Sequence, residues 1–192
     1  MSRVFHATCA LGLEGVLATE LQALGAEHVT PHPGGARFHG TPATGRAACL
    51  WARSATRVSE QLFRNRPAGS REQLYDAVRA FDWDPVLPPT LSLAVSASSS
   101  RSAQADTRFL ALVVKDAVVD AQRDAHGARS EVDTQAPDVP LRLVLQRNRA
   151  SLLRDLNSAS LHKRGWRPVQ HKSPLNEAVA AGLLLRAGWD GT

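Results

Sequence analysis

The segment TRFLALVVKDAVVDAQRDA, residues 107–125, decides the fold of the second half of this chain. Its apolar residues recur at the three- and four-residue spacing of a single helix face; they are Leu110, Val113, Val114, Ala117, Val118 and Ala121. Gly127 follows, where glycine commonly ends a helix. The pattern predicts a long helix that buries this face in a core. The opposite side carries Lys115, Asp116, Asp120 and Arg123.

Strand patterns surround this helix in the sequence. Residues 91–97 precede it, and residues 141–145 and 150–156 follow it, with the apolar content typical of sheet strands. Arg147-Asn148-Arg149 lies between the last two strands and predicts a turn. Ser70 and Gln73 have the spacing of a capping box, which predicts a short helix ending near Ala80.

The first third of the chain predicts a separate unit. We expect strands at 4–9, 27–30, 36–39 and 57–63, and helices at 12–24 and 41–52. This is the β-α-β-β-α-β order of a ferredoxin-like fold. The whole chain is therefore expected to belong to the α/β (α+β) class. Its expected domains are residues 1–66, 67–157 and 158–192.

The last helical pattern, residues 178–187, is apolar almost all round. Such a helix needs to be buried against a neighbour. Only Gly188-Trp189-Asp190-Gly191-Thr192 follows it in this chain. We interpret the chain as the front part of a larger protein that stops before its catalytic domain.

Basic residues are concentrated in one stretch. The formal net charge of the chain is +5, whereas residues 141–172 contain eight lysines and arginines and one acid, a local charge of +7. This segregation is typical of a surface that binds a polyanion. A solvated face without a ligand is an equal alternative at this point.

Several other classes of function are disfavoured. No apolar run approaches the roughly 20 residues of a membrane span, and no secretory signal is visible, so we expect a cytoplasmic protein without a membrane partner. Cys9 and Cys49 lie far apart in the sequence, and no C-x-x-C motif is present. This indicates buried, reduced thiols and not a disulfide or a zinc site. The seven histidines are scattered in sequence, so no metal site is expected. No G-x-S-x-G motif or glycine-rich phosphate loop is present, and no catalytic residue is predicted.

Several segments resemble the bacterial THUMP-domain RNA methyltransferases, above all those that methylate N2 of a guanine in large-subunit ribosomal RNA. The resemblance lies in residues 10–14, 34–38, 114–121, 132–133, 137–139, 161–167 and 173–177. They occur in the order of the family over nearly the whole chain. Two positions depart from its pattern: Trp166 stands where tyrosine is common, and Asn176 where lysine is expected.

The resemblance implies a ferredoxin-like domain, a THUMP RNA-binding domain and the first helix of a Rossmann-like methyltransferase domain. It also implies methyl transfer from S-adenosylmethionine to an exocyclic amine of a base flipped out of its stack. The missing domain would bind the cofactor, and this chain alone is expected to be non-catalytic. At the entry to that domain, the residues expected near the donor site of the complete protein are Ser173, Pro174, Leu175, Asn176 and Glu177.

The expected partner is structured RNA, most simply ribosomal RNA, held through its phosphates by long cationic side chains. The predicted contacts are Arg142, Arg147, Lys163, Arg164, Arg167 and Lys172, with Arg101, Lys115 and Arg123 as further candidates. Trp166 either stacks on a base or packs at a domain junction. Three alternatives stay open: an RNA-binding module of a tRNA-modifying enzyme (N2-guanine methylation, thiolation or pseudouridylation), a DNA adenine methylase, and a non-catalytic interaction scaffold.

Overall fold

A computed structural model describes residues 2–157, 159–165 and 174–189 of the chain. The chain forms two compact units. Unit 1 contains Met1–Glu60 together with Ala159–Thr192, and unit 2 contains Gln61–Ser158. Within the described ranges, none of the helices combines the length and apolar character that a membrane crossing requires.

Unit 1 contains the predicted β-α-β-β-α-β order. Its elements are β1 (Arg3–Thr8), α1 (Glu14–Ala23), β2 (Glu27–His32), β3 (Gly35–Gly40), α2 (Pro42–Trp51) and the first part of β4 (Arg57–Pro67). The strand order is β2-β3-β1-β4, and the β1–β3, β1–β4 and β2–β3 pairs are antiparallel. The ferredoxin-like prediction is therefore confirmed, with strand β4 longer than expected.

The core of unit 1 lies on one face of its sheet. Phe5 of β1 and Phe38 of β3 stack with ring centroids 5.3 Å apart and are almost fully buried, as are Leu17 and Leu21 of α1. Because side chains alternate across a strand, the neighbouring residues of β1 and β3 lie on the opposite face. The Glu14 carboxylate accepts hydrogen bonds from the amides of Gly12 (2.8 Å) and Gly34 (2.9 Å), which fixes the start of α1 against the β2–β3 hairpin.

Unit 2 contains the later part of β4, α3 (Arg71–Arg79), β5 (Leu93–Ser100), α4 (Thr107–His126), β6 (Val139–Gln146) and β7 (Arg149–Asp155). The strand order is β4-β7-β6-β5. Strands β5 and β6 are parallel, since α4 lies between them in the chain, and β6 and β7 form an antiparallel hairpin.

Helix α4 is the central core element of unit 2, as the sequence predicts. Five of the six predicted stripe residues are buried, and the sixth, Ala121, is partly buried against the core. Asp106 caps the helix by accepting from the amides of Arg108 and Phe109, and Gly127 ends it in the left-handed conformation (φ 65°). The stripe thus identified both the helix and its buried face.

The predicted capping box of α3 is only half present. Ser70 accepts from the Gln73 amide, as expected, at 3.3 Å. The Gln73 side chain, however, accepts from the Gly69 amide (2.8 Å). The glutamine therefore fixes the chain one residue before the cap.

Helix α5 (Glu177–Arg186) is present as predicted and packs on α1 within unit 1. A Cβ atom at Gly182 would overlap Cδ1 of Leu13, so a larger residue at this position would force the leucine side chain to shift. The opposite side of the helix leaves Leu183 and Leu184 about half exposed. This apolar helix is consistent with the expected first helix of a following domain.

Candidate nucleic-acid interface

Three residues in the left-handed backbone region lie together at one end of unit 2. They are Arg101 (φ 50°), Arg147 (φ 49°) and Asn148 (φ 57°). Such conformations are uncommon for residues other than glycine and persist where the surrounding structure enforces them, often at functional sites. We call this end, with Arg71, Arg101, Phe109, Arg147, Asn148 and Arg149, the loop surface.

Asn148 holds the loop surface together. Its side-chain oxygen accepts from the Ala103 amide (2.8 Å), its own amide donates to Ser102 Oγ (3.1 Å), and its carbonyl accepts from the Ala68 amide (2.9 Å). The Arg147 amide donates to the Ser100 carbonyl at 3.2 Å. These bonds tie the β6–β7 turn to the β5–α4 loop and to the segment before α3, so the surface is rigidly built.

Two arginines of the loop surface, Arg101 and Arg147, have no acidic partner among the described residues. Arg101, Arg147 and Arg149 are exposed. A guanidinium offers a planar fork of donors that matches phosphate. Both side chains are therefore available to an anionic ligand.

An aromatic side chain of the loop surface lies beside a fourth arginine, Arg71. The Arg71 guanidinium lies 5.7 Å from the centroid of the Phe109 ring. Phe109 is 41% exposed although it is a large apolar residue in the first turn of α4. Exposed rings beside cations are the usual platform for stacking unpaired bases. The loop surface thus combines free charge with a stacking plane.

Other predicted cations of unit 2 are paired with acids. Lys115 pairs with Asp116, and Arg123 with Asp120 at 3.2 Å, on the polar side of α4. Arg142 lies 3.5 Å from the buried Asp155 on the neighbouring strand. Their contact with RNA stays a prediction.

In unit 1, Arg164 caps a helix. Its guanidinium donates to the carbonyls of Leu50 (2.7 Å), Ala52 (3.1 Å) and Cys49 (3.2 Å), at the C-terminal end of α2. The last carbonyls of a helix have no partner within it and favour a cation. Lys163 beside it is exposed. Trp166, Arg167 and Lys172 lie outside the described residues.

The comparisons with known proteins agree with this architecture. A family model of the RlmL ferredoxin-like domain matches residues 4–59, and a model of the THUMP domain matches residues 68–155. The chain carries an RlmL ferredoxin-like domain followed by a THUMP domain. The loop surface lies in the THUMP domain.

Three similar proteins extend this result. The ribosomal RNA large subunit methyltransferase K/L of Cellvibrio japonicus (strain Ueda107) is 41% identical over 189 residues, 98% of this chain and 25% of that protein. The structure of SMU.472, a putative methyltransferase complexed with SAH, matches with a TM-score of 0.87 and 27% identity over 98% of this chain and 49% of its own. That of a predicted N6-adenine-specific DNA methylase from Listeria monocytogenes str. 4b F2365 matches with a TM-score of 0.86 and 29% identity, over 96% and 48%.

The resemblance to THUMP-domain RNA methyltransferases is confirmed by these matches. The chain spans about a quarter of the length of the curated relatives that it matches.

The segment predicted to lie near a methyl donor is described from Pro174 onward, and Ser173 lies outside the described residues. Asn176 caps α5, since its Oδ1 accepts from the amides of Ala178 (2.9 Å) and Val179 (3.3 Å). A cavity of about 430 Å³ lies beside it, lined by His162, Lys163, Gly165, Pro174, Leu175, Asn176 and Glu177. The Asn176 oxygen is therefore engaged in capping α5, and a position of these residues near a methyl donor stays a prediction.

Part of the loop surface was missed by the sequence analysis. Arg147 and Arg101 were named separately, but their shared location depends on Asn148, which the sequence identified only as part of a turn. Arg71 and Phe109 carried no signal of their own. Only the packing of α3 against α4 brings them together.

Proposed function

We propose that this chain is the RNA-recognition part of an S-adenosylmethionine-dependent methyltransferase that acts on guanine N2 in large-subunit ribosomal RNA in the cytoplasm. The observation that carries the proposal is the loop surface of the THUMP domain, where Arg101 and Arg147 have no acidic partner among the residues that the structure describes. The names of the curated relatives support the ribosomal substrate. The SAH complex of a structural neighbour supports the cofactor.

In this proposal, the chain and the rest of the full-length enzyme have different roles. The chain binds and orients the RNA, and the remainder of the full-length enzyme binds the methyl donor and carries out the transfer. Enzymes that modify a base must extract it from its stack. A firm grip on neighbouring phosphates and an unpaired base by the THUMP domain would hold the target nucleotide near the donor.

RNA is a better fit than duplex DNA for this surface. Phe109 lies in the first turn of α4, next to the β5–α4 loop, and aromatic rings recognise splayed or single-stranded bases. The name of the Listeria relative refers to DNA methylation. A direct comparison of the two nucleic acids therefore belongs in the test.

The test is fluorescence anisotropy of the chain with a ribosomal RNA hairpin, a tRNA transcript and a length-matched DNA duplex at two salt concentrations. Arg101→Asn combined with Arg147→Asn removes two charges with a residue that tolerates the left-handed region. Arg46→Ala with Arg129→Ala is the control, because both arginines are exposed and distant in sequence from the loop surface.

We expect the loop variant to lose about tenfold or more in affinity for the hairpin and to reduce the salt slope by about 2, since each phosphate contact contributes about 1. The control should retain the wild-type slope. Stronger binding of tRNA would favour a tRNA-modifying enzyme, and preference for the duplex a DNA methylase. Absence of RNA binding would overturn the proposal and leave the scaffold alternative.

A further inference from the structure

Four of the seven histidines lie on one face of the unit 1 sheet, although they are scattered in sequence. His6 on β1 pairs with Arg37 on β3, and Arg37 pairs with Thr30 on β2. Cross-strand partners share a face. The rings of His28 and His39 are 5.3 Å apart, and those of His6 and His32 are 6.2 Å apart. We call His6, His28, His32, Arg37 and His39 the histidine face.

The histidine face is the one that α1 and α2 leave uncovered. The core residues Phe5, Ala7, Ala36 and Phe38 alternate along β1 and β3 with the members of the face. His28 and His32 are exposed, and His6, Arg37 and His39 are half-buried. Open sheet faces are a recurrent platform for RNA in small α/β domains.

Arg37 lies at the centre of this face, and among the described residues no acidic side chain pairs with it. Its Nε is buried and has no hydrogen-bond partner among the residues that the structure describes. A buried donor without a partner costs free energy, and a guanidinium in this state favours an anionic ligand.

Among the described residues, the charged groups around the face do not neutralise the Arg37 guanidinium. Glu27 is at the edge of β2, opposite His39, and is exposed. Glu14 lies near His32, but its carboxylate accepts from the Gly34 and Gly12 amides, and these bonds hold its pKa below the usual range. Arg57 adds a further cation on β4, in register with Thr8.

A metal ion does not fit this face. Among the described residues, no group of three or more histidine, cysteine, aspartate or glutamate side chains converges as ligands would. The histidines are also in two separate ring pairs. Their use is therefore more simply electrostatic, since imidazole is the side chain that gains charge between about pH 5 and 8.

We propose that the histidine face is a second RNA contact, in which Arg37 binds a backbone phosphate and protonated histidines strengthen the grip as the pH falls. The proposal rests on RNA being the ligand of the chain, as proposed above. It assigns to the ferredoxin-like domain a role separate from that of the THUMP domain. Phosphodiesters keep their charge over this pH range, so any pH dependence of binding at this face arises from the protein.

The experiment is anisotropy with the ribosomal RNA hairpin at pH 5.8 and pH 7.8 over a series of salt concentrations. The variants are Arg37→Ala and the pair His6→Gln with His39→Gln, which keeps polar side chains that cannot gain charge. Arg46→Ala is the matched control, since it removes an exposed arginine from α2 of the same unit. Circular dichroism melts establish that each variant is folded.

We expect wild-type affinity to rise severalfold at pH 5.8. Arg37→Ala should lower the salt slope by about 1 at both pH values, and the histidine pair should abolish the gain at low pH while Arg46→Ala preserves it. If both variants follow the wild type while the Arg101 and Arg147 variant fails to bind, the histidine face is not a contact and the proposed function stands. If the wild type itself binds no RNA, both proposals fall.

Discussion

The loop surface of the THUMP domain and the Arg164 contact of unit 1 use the same side chain for opposite purposes. Arg101 and Arg147 project from a hydrogen-bonded loop network and, among the described residues, have no acidic partner. Arg164 is bound to three carbonyls at the end of α2. The number of basic residues in a sequence therefore gives only the total charge. Recognition of an anionic ligand depends on which of these side chains the fold leaves free to bind it.

The substitution Asn148→Val should disrupt the loop surface most strongly. A β-branched residue is strained at φ 57°, and the bond to the Ala103 amide is lost. We expect a loss of about 2 to 3 kcal/mol in the free energy of unfolding, together with most of the RNA affinity. Denaturant unfolding and anisotropy measure the two effects.

Asn148→Gly serves as the matched control for that change. Glycine accepts the left-handed backbone and removes only the side-chain bond, so its effect should be about 1 kcal/mol. Equal effects of the valine and glycine variants would mean that backbone strain at this position is unimportant.

Arg164→Ala tests the contribution of the Arg164 contact at the end of α2 to stability. Three carbonyls of α2 lose their charged donor, and we expect about 1 to 2 kcal/mol of destabilisation. Lys163→Ala removes the same charge from an exposed neighbour and should change stability by less than about 0.5 kcal/mol. The idea fails if the two variants melt alike.

The sequence also predicts an RNA contact for Arg164, and the same pair of variants tests it. A loss of affinity for Arg164→Ala that persists at a temperature where the variant is fully folded would support direct contact. A loss that disappears there would assign the residue to structure alone.

Phe109→Ala tests the stacking plane of the loop surface. The ring is 41% exposed, so more than half of it is buried, and its removal should cost about 1 to 2 kcal/mol of stability; affinities are therefore compared at a temperature where the variant is folded. Affinity for an RNA with an unpaired end should fall by about 1 kcal/mol or somewhat more, and Phe109→Trp should restore it. Leu112→Ala, which removes an exposed apolar residue of the same helix, is the control; an equal loss there would argue against stacking.

The last prediction concerns the Cys49 thiol near Arg164 and the pH dependence of stability that follows from its pKa. Burial raises the pKa of Cys49 from 9.0 to about 11, and the nearby Arg164 opposes this rise. Because the folded state favours the protonated thiol, this contribution to stability is present below about pH 9 and is lost as the pH rises towards 11.

Unfolding experiments between pH 8 and 11 measure that contribution. Cys49→Ala should show a weaker decline of stability with pH than the wild type, while Cys9, whose pKa is likewise raised to about 11 by burial, still contributes. An unchanged decline would show that Cys49 is not responsible.

Much of the fold could be predicted from the sequence because its signals are local. The apolar stripe of α4 and the glycine that ends this helix each act within a few residues, and both predictions are confirmed.

The sites were harder to predict because they depend on contacts between distant residues. Arg142 meets Asp155 only because β6 pairs with β7. The histidine face requires the register of three strands. No spacing rule along the sequence contains that information.

Unit 1 is made from two pieces of chain that are almost one hundred residues apart in sequence, and this separation has a consequence for folding in time. The amide of Leu161 donates to the carbonyl of Thr56, and Gly182 packs against Leu13. On a ribosome, which releases the chain from its N-terminus, neither contact can form until the entire THUMP domain has been synthesised. Until then, the end of α2 and one side of α1 lack these contacts. Unit 1 can therefore complete its folding only after the inserted domain has been synthesised.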